Sequence, residues 1–433
     1  MSKYRVIAAV AVLCFSTLVP LAATAQTARA GGHWVSAWSA AVHAPLPFAD
    51  IQASPVLENQ TVRMVARPTV AGTRIRIRFS NAYGTAALRI GAAHIALAGS
   101  GASTVAASDR PLTFGGKASI AIPPGAPVLS DPVELKFERF AEVAVSLYLP
   151  DKVPASSVHF WAQHDTYLSG PGDFTAKSEI PNATTKSSWY WLSDIEVWAP
   201  TGTAATVAFG DSITDGVGAK QGEYGDWPDL LAGRLAKQSG LPAVPVLNEG
   251  IGGNRILRDG AGVSALARFD RDVLAQPGVV NLIVLEGIND LGFPHMKLRP
   301  SAGGPPPDNN LFADQAVTAD DLIAGLRQLI DRAHQHGIRI FGATLTPFEG
   351  ADYYSAEGEA IRQAVNQWIR TSGAFDGVFD FDAATRDPDH PTKLLARYDS
   401  GDRLHPSAAG FKAMAAAIDL SVLRGVKAAP VKK

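Results

Sequence analysis

The sequence is almost free of cysteine, and its single cysteine, Cys14, lies close to the start of the chain. A disulfide framework or a thiolate metal site needs several thiols, and a cysteine nucleophile needs one outside any removed leader. Residues 1–25 are interpreted below as a leader, so the remaining chain would have no cysteine. The sequence therefore predicts a fold that is stabilised by its packed cores alone.

An excess of charge and a second long apolar run are also missing. The chain has 39 basic and 41 acidic side chains, a net charge of −2. This balance gives no reason to expect a nucleic-acid partner or an anionic membrane surface. After the first residues, no apolar run is long enough to span a bilayer.

Residues 1–25 have the pattern of a signal peptide. Lys3 and Arg5 form a basic start, residues 7–21 are an apolar run, and Ala23-Thr24-Ala25 is a small-residue cleavage site. The apolar run is short for a membrane anchor, so a removed leader is the better interpretation. Its removal would take two basic residues and no acid, leaving 37 basic against 41 acidic residues. We expect a secreted or periplasmic protein that has no membrane contact after cleavage.

The first large region alternates apolar with polar residues. Such alternation is clear at residues 61–67, 74–79 and 141–149, with turn residues between these stretches. Period-two patterns broken by frequent turns are typical of antiparallel sheets. Residues 33–200 are therefore predicted to be an all-β accessory domain, a jelly-roll-like sandwich.

Three further features of this region carry predictions. Arg74, Arg76 and Arg78 lie on one side of a strand, and we expect a solvated sheet face rather than a ligand-binding patch. Residues 170–188 are rich in Gly, Pro, Ser and Thr and are predicted to connect two domains. The aromatic cluster at residues 189–191 is predicted to pack at a domain interface, with stacking on sugar rings as the alternative.

The pattern changes at residue 203. Short apolar runs that favour strands occur at 203–209, 244–248, 279–285, 338–344 and 377–381. Helical patterns occur at 227–238, 263–274, 319–336, 356–371 and 407–420. Strands that alternate with helices predict a parallel sheet covered on both faces, here in a domain over residues 203–425. Residues 293–310 follow neither pattern, and a loop of this length is usually functional or mobile.

Ser212 follows the first of these predicted strands. The strand stops at the turn pair Gly210-Asp211, and ligands of parallel sheets bind at the carboxyl ends of the strands. We therefore expect the Ser212 side chain to be exposed in a crevice. Taken alone, Asp211 or Ser212 would be better explained as a helix cap.

Other strand ends supply chemical partners for Ser212. Asp402 lies three residues before His405, a spacing at which a carboxylate can bind the imidazole Nδ1–H and fix its tautomer. Gly253 and Asn289 follow the second and third predicted strands and could donate an N–H to a nearby ligand. Acyl transfer needs a nucleophile, a base with its orienting group, and donors for an oxyanion. Occurring together and in this order, these residues predict such a site.

The segments Gly210-Asp211-Ser212-Ile213-Thr214, Gly287-Ile288-Asn289-Asp290 and Asp402-Arg403-Leu404-His405-Pro406, with Gly253, resemble the blocks of the SGNH (GDSL-type) esterase and lipase family. The resemblance covers roughly residues 203–423. Ile213 replaces the leucine of many members, a change of similar volume. The strand-rich first half is similar to exported family members grouped with acetylxylan-type esterases.

This resemblance implies a fold and a set of roles. The fold would be a flavodoxin-like three-layer α/β/α domain. The catalytic residues would be Ser212 as nucleophile, His405 as base and Asp402 as its partner. The oxyanion would be bound by Ser212, Gly253 and Asn289, with Gly250 and Gly252 as close alternatives to Gly253, and Asp211 and Asp290 would support the site.

Other chemistries fit less well. No serine of the chain has the G-x-S-x-G elbow of α/β-hydrolases. His334 and His336 are two residues apart on a predicted helix and point to different faces, so we expect no metal, and no cofactor is indicated. A glycosidase would need two facing carboxylates, and Asp211, Asp215 and Asp290 are better explained by the serine motif.

We therefore expect a secreted serine esterase that removes short acyl groups, acetyl first among them, from small molecules or from polysaccharide. A carboxylesterase or lipase acting on lipid or aryl esters is the alternative enzyme. A carbohydrate-binding protein with an inactive hydrolase domain is the alternative of a different class. The sequence does not indicate an oligomeric state.

Overall fold

The computed structural model describes residues 31–46, 54–238, 242–296, 310 and 312–423. The predicted signal peptide, residues 1–25, and most of the predicted loop 293–310 lie outside these residues. From Gly32 onward the described residues form one compact unit. Their buried apolar side chains form one contiguous cluster that runs through both halves of the chain. The domain limits 33–200 and 203–425 stay predictions.

The N-terminal half is rich in antiparallel strands, as predicted. The strands are β1 (Gly32–Ser39), β2 (Val56–Leu57), β3 (Gln60–Ala66), β4 (Gly72–Ser80), β5 (Leu88–Ile90), β6 (Ala92–Leu97), β7 (Arg110–Pro111), β8 (Ile120–Ile122), β9 (Pro127–Leu129), β10 (Val133–Phe137), β11 (Val143–Leu149), β12 (Val153–Pro154), β13 (Val158–Phe160), β14 (Thr166–Pro171), β15 (Thr184–Lys186), β16 (Ser188–Tyr190) and β17 (Leu192–Pro200).

Two larger sheets contain most of these strands. One has the order β1-β17-β4-β10, with β9 beside β4, and the other has the order β15-β14-β3-β11-β6-β7. Along β4 the apolar residues Ile75, Ile77 and Phe79 are buried, which is the alternation that the sequence shows. The strand-rich character is confirmed, and its description as a jelly-roll-like sandwich stays a prediction.

The prediction that residues 170–188 connect two domains is wrong. This stretch contains the end of β14 and all of β15, which pair with each other in the six-stranded sheet. Turn-forming residues look alike in a long loop within a sheet and in a linker between domains, so composition could not separate the two. The chain instead leaves the last strand, β17, and enters the second half through residues 201–204.

The arginines of β4 do not form a solvated face. Arg78 pairs with Asp194 at 3.2 Å and with Glu196 at 2.6 Å, and both carboxylates are fully buried. Arg76 pairs with the same Glu196. The Arg78 guanidinium also donates to Gln276 Oε1 at 3.1 Å, in the second half of the chain. This buried ionic cluster therefore joins the two halves.

The second half is an α/β layer structure. Its parallel strands are β18 (Ala205–Gly210), β19 (Val246–Gly250), β20 (Val279–Leu285), β21 (Arg339–Ala343) and β22 (Gly377–Phe379). The sheet order is β19-β18-β20-β21-β22, which is the flavodoxin-like order. Every residue of β18 is buried, as expected for a central strand covered on both faces.

The helices of this half are α1 (Ser212–Asp215), α2 (Trp227–Ala236), α3 (Ala265–Phe269), α4 (Ile288–Gly292), α5 (Ala319–Gln335), α6 (Ala356–Thr371), α7 (Phe381–Thr385) and α8 (Ala408–Ala417). In the described residues, all five predicted helices are present near their predicted positions, and three short helices were not predicted, α1, α4 and α7. Thr318 and Asp321 form a capping box that begins α5. The predicted helix 263–274 is shorter as an α-helix, because its last turn, Asp270–Leu274, is a π-helix. No helix in the described ranges combines the length and apolar character that crossing a membrane requires.

The strand-rich half packs on the edge strand β19. The Thr69 hydroxyl accepts a hydrogen bond from the Val246 N–H at 3.0 Å and so covers an edge group of β19. The Ser36 N–H donates to the Pro277 carbonyl at 3.0 Å. Trp189, Tyr190 and Trp191 are buried, in agreement with a packing role for the aromatic cluster.

Breaking the ionic cluster should destabilise the whole unit. We expect Arg78→Ala to lower the free energy of unfolding by about 3–5 kcal/mol, because it leaves the buried Asp194 carboxylate without its cation and leaves Glu196 with Arg76 alone. Arg89→Ala is the control, since its pair with Asp151 is exposed on both sides; such pairs contribute about 0–1 kcal/mol. Denaturant unfolding of both variants measures the difference, and equal losses would contradict a special role for the cluster.

Candidate active site

Ser212 is placed by the end of strand β18. Asp211 has an extended backbone and caps α1, because its Oδ1 accepts from the Ile213 N–H at 2.9 Å. Ser212 is therefore the first residue of α1, which ends at Gly216 with φ of 105°. The expectation of an exposed serine is wrong, since Ser212 is only 6% exposed. Neighbouring residues therefore cover most of Ser212.

The residues predicted to act together meet around this hydroxyl. His405 Nε2 lies 2.8 Å from Ser212 Oγ, and His405 Nδ1 lies 2.5 Å from Asp402 Oδ2. A carboxylate only accepts hydrogen bonds, so Nδ1 carries the proton and Nε2 is free to accept from the serine. This arrangement of hydroxyl, imidazole and carboxylate can deprotonate the serine during attack on a carbonyl.

Asp402 is held by the turn that presents it. Its Oδ1 accepts from the backbone N–H groups of Leu404 at 3.0 Å and of His405 at 2.8 Å. Partial burial raises the pKa of the Asp402 carboxyl, but the hydrogen bond and charge of His405 and the two N–H groups outweigh burial and hold the pKa below its usual range. Asp402 is therefore ionised at neutral pH. Asp399 binds the Gly401 and Arg403 N–H groups instead and does not contact the imidazole.

The loop after β19 contains the glycine predicted to bind an oxyanion. The Gly250 N–H donates to Asn248 Oδ1 at 3.0 Å, and the Gly252 N–H donates to Asp215 Oδ2 at 3.1 Å. Within the described residues, the N–H of Gly253 has no acceptor, and neither has that of Ser212. Gly253 has φ of 78°, a conformation that side chains disfavour. Of the three glycines, Gly253 is therefore the one whose backbone N–H is available to bind a ligand.

Asn289 lies at the start of α4 with its amide fixed on both sides. Its Nδ2 donates to the Asn254 carbonyl at 2.9 Å, and its Oδ1 accepts from the Tyr353 hydroxyl at 3.1 Å. One Nδ2 hydrogen stays available for a ligand. Tyr353 is buried, and burial raises the pKa of its hydroxyl well above the usual value, so it stays a donor. No sequence pattern indicated this role for Tyr353.

The two predicted supporting acids bind backbone rather than substrate. Asp290 Oδ2 accepts from the Ile256 N–H at 2.8 Å and Oδ1 from the Leu257 N–H at 3.2 Å, which fixes the chain just beyond Gly253. Burial raises the pKa of Asp290 to about 6 although these N–H groups lower it. Burial likewise raises the pKa of Asp211 to about 7, against the hydrogen bond from Ile213.

Arg268 is a buried residue that the sequence did not single out. Its guanidinium donates to the Gly210 carbonyl, the Glu249 carbonyl and the Asn254 side chain, each at 2.8 Å. These acceptors belong to the strand end before Ser212 and to the loop around Gly253. Arg268 therefore connects the segment that contains Ser212 with the loop that contains Gly253.

In the described parts of the chain, no group of three or more His, Cys, Asp or Glu side chains is arranged to hold a metal ion. His334, considered above as a metal ligand, lies on α5. Its Nε2 is 2.9 Å from Asp376 Oδ2, and both side chains are partly exposed.

Comparison with known proteins finds a family match in the second half of the chain. Residues 208–413 match the model of the GDSL-like Lipase/Acylhydrolase family. Curated proteins show no match to the chain.

Several solved structures are similar to about half of this chain. A variant of an acetyl-xylooligosaccharide esterase from Geobacillus stearothermophilus is 24% identical, with 49% of this chain and 91% of that chain covered and a TM-score of 0.37. A carbohydrate acetylesterase from Sinorhizobium meliloti is 14% identical, with coverage of 51% and 100% and a TM-score of 0.37. A protein described as lipolytic and of the G-D-S-L family, from Desulfitobacterium hafniense, is 19% identical, with coverage of 50% and 97% and a TM-score of 0.36.

The contact between Tyr353 and Asn289 gives a prediction. Tyr353→Phe removes the hydrogen bond that holds the Asn289 amide on one side. We expect kcat for ester hydrolysis to fall about 10-fold with KM nearly unchanged, because the Asn289 amide is proposed to bind the oxyanion only in the transition state. Tyr354→Phe is the matched control, because the neighbouring Tyr354 packs its ring on Phe348, whereas the hydroxyl that binds Asn289 is that of Tyr353. Steady-state kinetics on an aryl acetate compares them, and equal kcat values would rule out the positioning of Asn289 by Tyr353.

Proposed function

We propose, from the premise that residues 208–413 belong to the GDSL-like lipase/acylhydrolase family, that this ester hydrolase uses Ser212 as its nucleophile. The observation that supports the proposal is the continuous chain of hydrogen bonds from Asp402 through His405 to Ser212. Three residues predicted from separate segments meet at hydrogen-bond distance, which a structural role for any one of them would not require.

The proposed reaction has two half-reactions. Ser212 Oγ attacks the ester carbonyl carbon while His405 Nε2 takes the hydroxyl proton. The same imidazolium then gives this proton to the leaving alcohol oxygen as the ester C–O bond breaks, leaving an acyl-serine. Water attacks the acyl group with His405 as base, and the acid is released as Ser212 recovers its proton. Asp402 keeps the imidazole in the correct tautomer and stabilises its charged form.

The carbonyl oxygen becomes negatively charged in both half-reactions. We assign its binding to the N–H groups of Ser212 and Gly253 and to the remaining Nδ2 hydrogen of Asn289. These donors have no other acceptor in the described residues, or have one hydrogen to spare. Donors that are already oriented need no reorganisation when the charge forms, which is why each contributes strongly to the rate.

The acyl group is proposed to be short, acetyl above all. A Cβ at Gly253 would come within 2.9 Å of Ala261 and 3.5 Å of Phe293, so side chains pack closely around the proposed oxyanion site. A lipase needs apolar surface for a long acyl chain. In the described residues, the large apolar side chains that stay exposed are Val56, Val105, Leu129 and Val378, and none is on a segment that carries the proposed site.

Two further proposals concern the molecule from which the acyl group is removed and the location of the enzyme. The signal-peptide pattern of residues 1–25 supports export, to the periplasm or outside the cell. Exported substrates that carry short acyl groups include acetylated polysaccharides and small esters. The alternative of a carbohydrate-binding protein with an inactive hydrolase domain is not favoured, because every position of the proposed triad is filled and hydrogen-bonded.

An ester series tests this proposal. We expect acetyl and butyryl aryl esters to be hydrolysed faster than esters with acyl chains of about eight carbons, because the site around Gly253 is narrow. Ser212→Ala should lose nearly all activity on every ester while its thermal unfolding stays close to that of the wild type. Faster hydrolysis of long-chain esters would favour the lipase alternative, and full activity of Ser212→Ala would refute the nucleophile.

A further inference from the structure

We propose that His159, in the strand-rich half, is a positioning residue of the active site. It would act through Asp215, which holds the loop that presents the Gly253 N–H to the substrate. This inference rests on the proposed esterase function. It gives the N-terminal half a direct part in catalysis, beyond any contact it makes with the substrate.

His159 lies on β13 between two groups that only accept hydrogen bonds. Its Nδ1 is 2.8 Å from the Ala41 carbonyl oxygen, and its Nε2 is 3.0 Å from Asp215 Oδ1. Both ring nitrogens must therefore donate, which makes the ring an imidazolium paired with a carboxylate. The side chains of the pair are 4% and 3% exposed. Burial lowers the pKa of His159, but Asp215 and the Ala41 carbonyl outweigh burial and raise it overall.

A second buried histidine nearby, His43, is neutral, whereas His159 is charged. His43 Nε2 accepts from the Phe160 N–H at 3.2 Å, and its Nδ1 donates to the Ala44 carbonyl at 2.7 Å. One acceptor and one donor make His43 neutral, and burial, with the charge of His159, lowers its pKa to about 3. The charge at this junction is thus confined to the ring that faces Asp215.

Asp215 connects this imidazolium with the active-site loop. It is the last residue of α1, the helix that begins at Ser212. While Oδ1 faces His159, Oδ2 accepts from the Gly252 N–H at 3.1 Å. The neighbouring backbone is tied at both ends, because the Ile251 N–H donates to the Gly210 carbonyl and the Asn254 N–H to the Ile251 carbonyl, each at 3.0 Å. Asp215 therefore fixes the Ile251–Gly252 peptide group, which is one residue before the peptide group that carries the Gly253 N–H.

The same segment of the strand-rich half makes a second contact with the loop. Trp161, two residues after His159, has φ of 53°, a strained value for a bulky residue. Its ring lies so close to Gly252 that a Cβ there would come within 2.6 Å of the indole. Backbone strain of this kind persists only where the surroundings enforce it. The loop is thus held by a hydrogen bond on one side and by an aromatic ring on the other.

The test separates the charge of the pair from its hydrogen bonds. Asp215→Ala removes both hydrogen bonds, and we expect kcat on an aryl acetate to fall about 10–100-fold with KM changed less than about twofold. Asp215→Asn should keep most activity, because its amide oxygen can accept from Gly252 and its NH₂ can donate to a neutral His159. His159→Phe should lower kcat about as much as Asp215→Ala does. The double variant, His159→Phe with Asp215→Ala, should have a kcat no lower than that of the less active single variant, because the two residues act as one unit.

A boronic acid gives the readout that a purely structural role would not change. Phenylboronic acid forms a tetrahedral adduct with an active-site serine, so its binding depends on the oxyanion donors. We expect its affinity for Asp215→Ala to fall by about the same factor as kcat/KM. His94→Phe is the control, because His94 also pairs with an aspartate, Asp109 at 2.8 Å, within the strand-rich half. It should leave kcat and boronate affinity unchanged.

The outcomes that overturn the inference are distinct. Wild-type kcat in folded Asp215→Ala, or equal losses in Asp215→Asn and Asp215→Ala, would refute positioning through these hydrogen bonds. If His159→Phe does not fold, the two Asp215 variants still decide the question, because Asp215→Asn keeps the buried contacts. A wild-type chain that hydrolyses no ester would instead overturn the proposed function, and this inference with it.

Discussion

The buried guanidinium of Arg268 is the interaction on which the arrangement of the site depends. It donates to the carbonyls at the ends of β18 and β19 and to the Asn254 side chain, and so spans the nucleophile segment and the loop of Gly253. Its charge is paired with Asp272 at 3.1 Å, and the carboxyl of Glu286, whose pKa is raised by burial, lies 3.6 Å away. A parallel sheet leaves carbonyl groups at its carboxyl edge without partners. Here the Arg268 guanidinium donates to two of these carbonyls, those of Gly210 and Glu249, from the interior of the protein.

Two different kinds of support meet at the site. His405 and Asp402 are held by a short turn near the surface, in which backbone N–H groups bind one carboxylate oxygen and leave the other for the imidazole. The Gly253 loop is held from the interior, by Arg268 and by Asp215. The proposed contribution of the strand-rich half therefore concerns the oxyanion donors and not the proton transfer. One shared apolar core makes this possible, because the two halves pack as one compact unit.

The sequence predicted the local features well and the long-range ones poorly. The carboxylate and imidazole of Asp402 and His405 are three residues apart, so a single turn brings them together and the spacing is visible in the sequence. The parallel sheet and the limits of α6 followed from hydrophobic periodicity. The sequence predicted that Ser212 and His405 act together, although they are 193 residues apart, because each lies in a recognisable motif. The partners of Arg78, the hydroxyl of Tyr353 and the pair of His159 with Asp215 also join distant segments, but no motif marks them, so they could not be predicted. The exposure of Ser212 was wrong for the same reason, since distant segments cover it.

The proposed activation of Ser212 by Asp402 and His405 can be tested by the rate of fluorophosphonate labelling. The label forms a bond to an activated serine oxygen and needs no knowledge of the natural substrate. We expect one adduct, on the peptide that contains Ser212. We also expect labelling to be slowed on the order of 10³-fold by Asp402→Asn, because the imidazole loses its fixed tautomer. Labelling should be nearly unchanged in Asp399→Asn, because the Asp399 side chain binds the backbone N–H groups of Gly401 and Arg403. An adduct on another residue, or equal labelling rates in the two variants, would show that Asp402 and His405 do not activate Ser212.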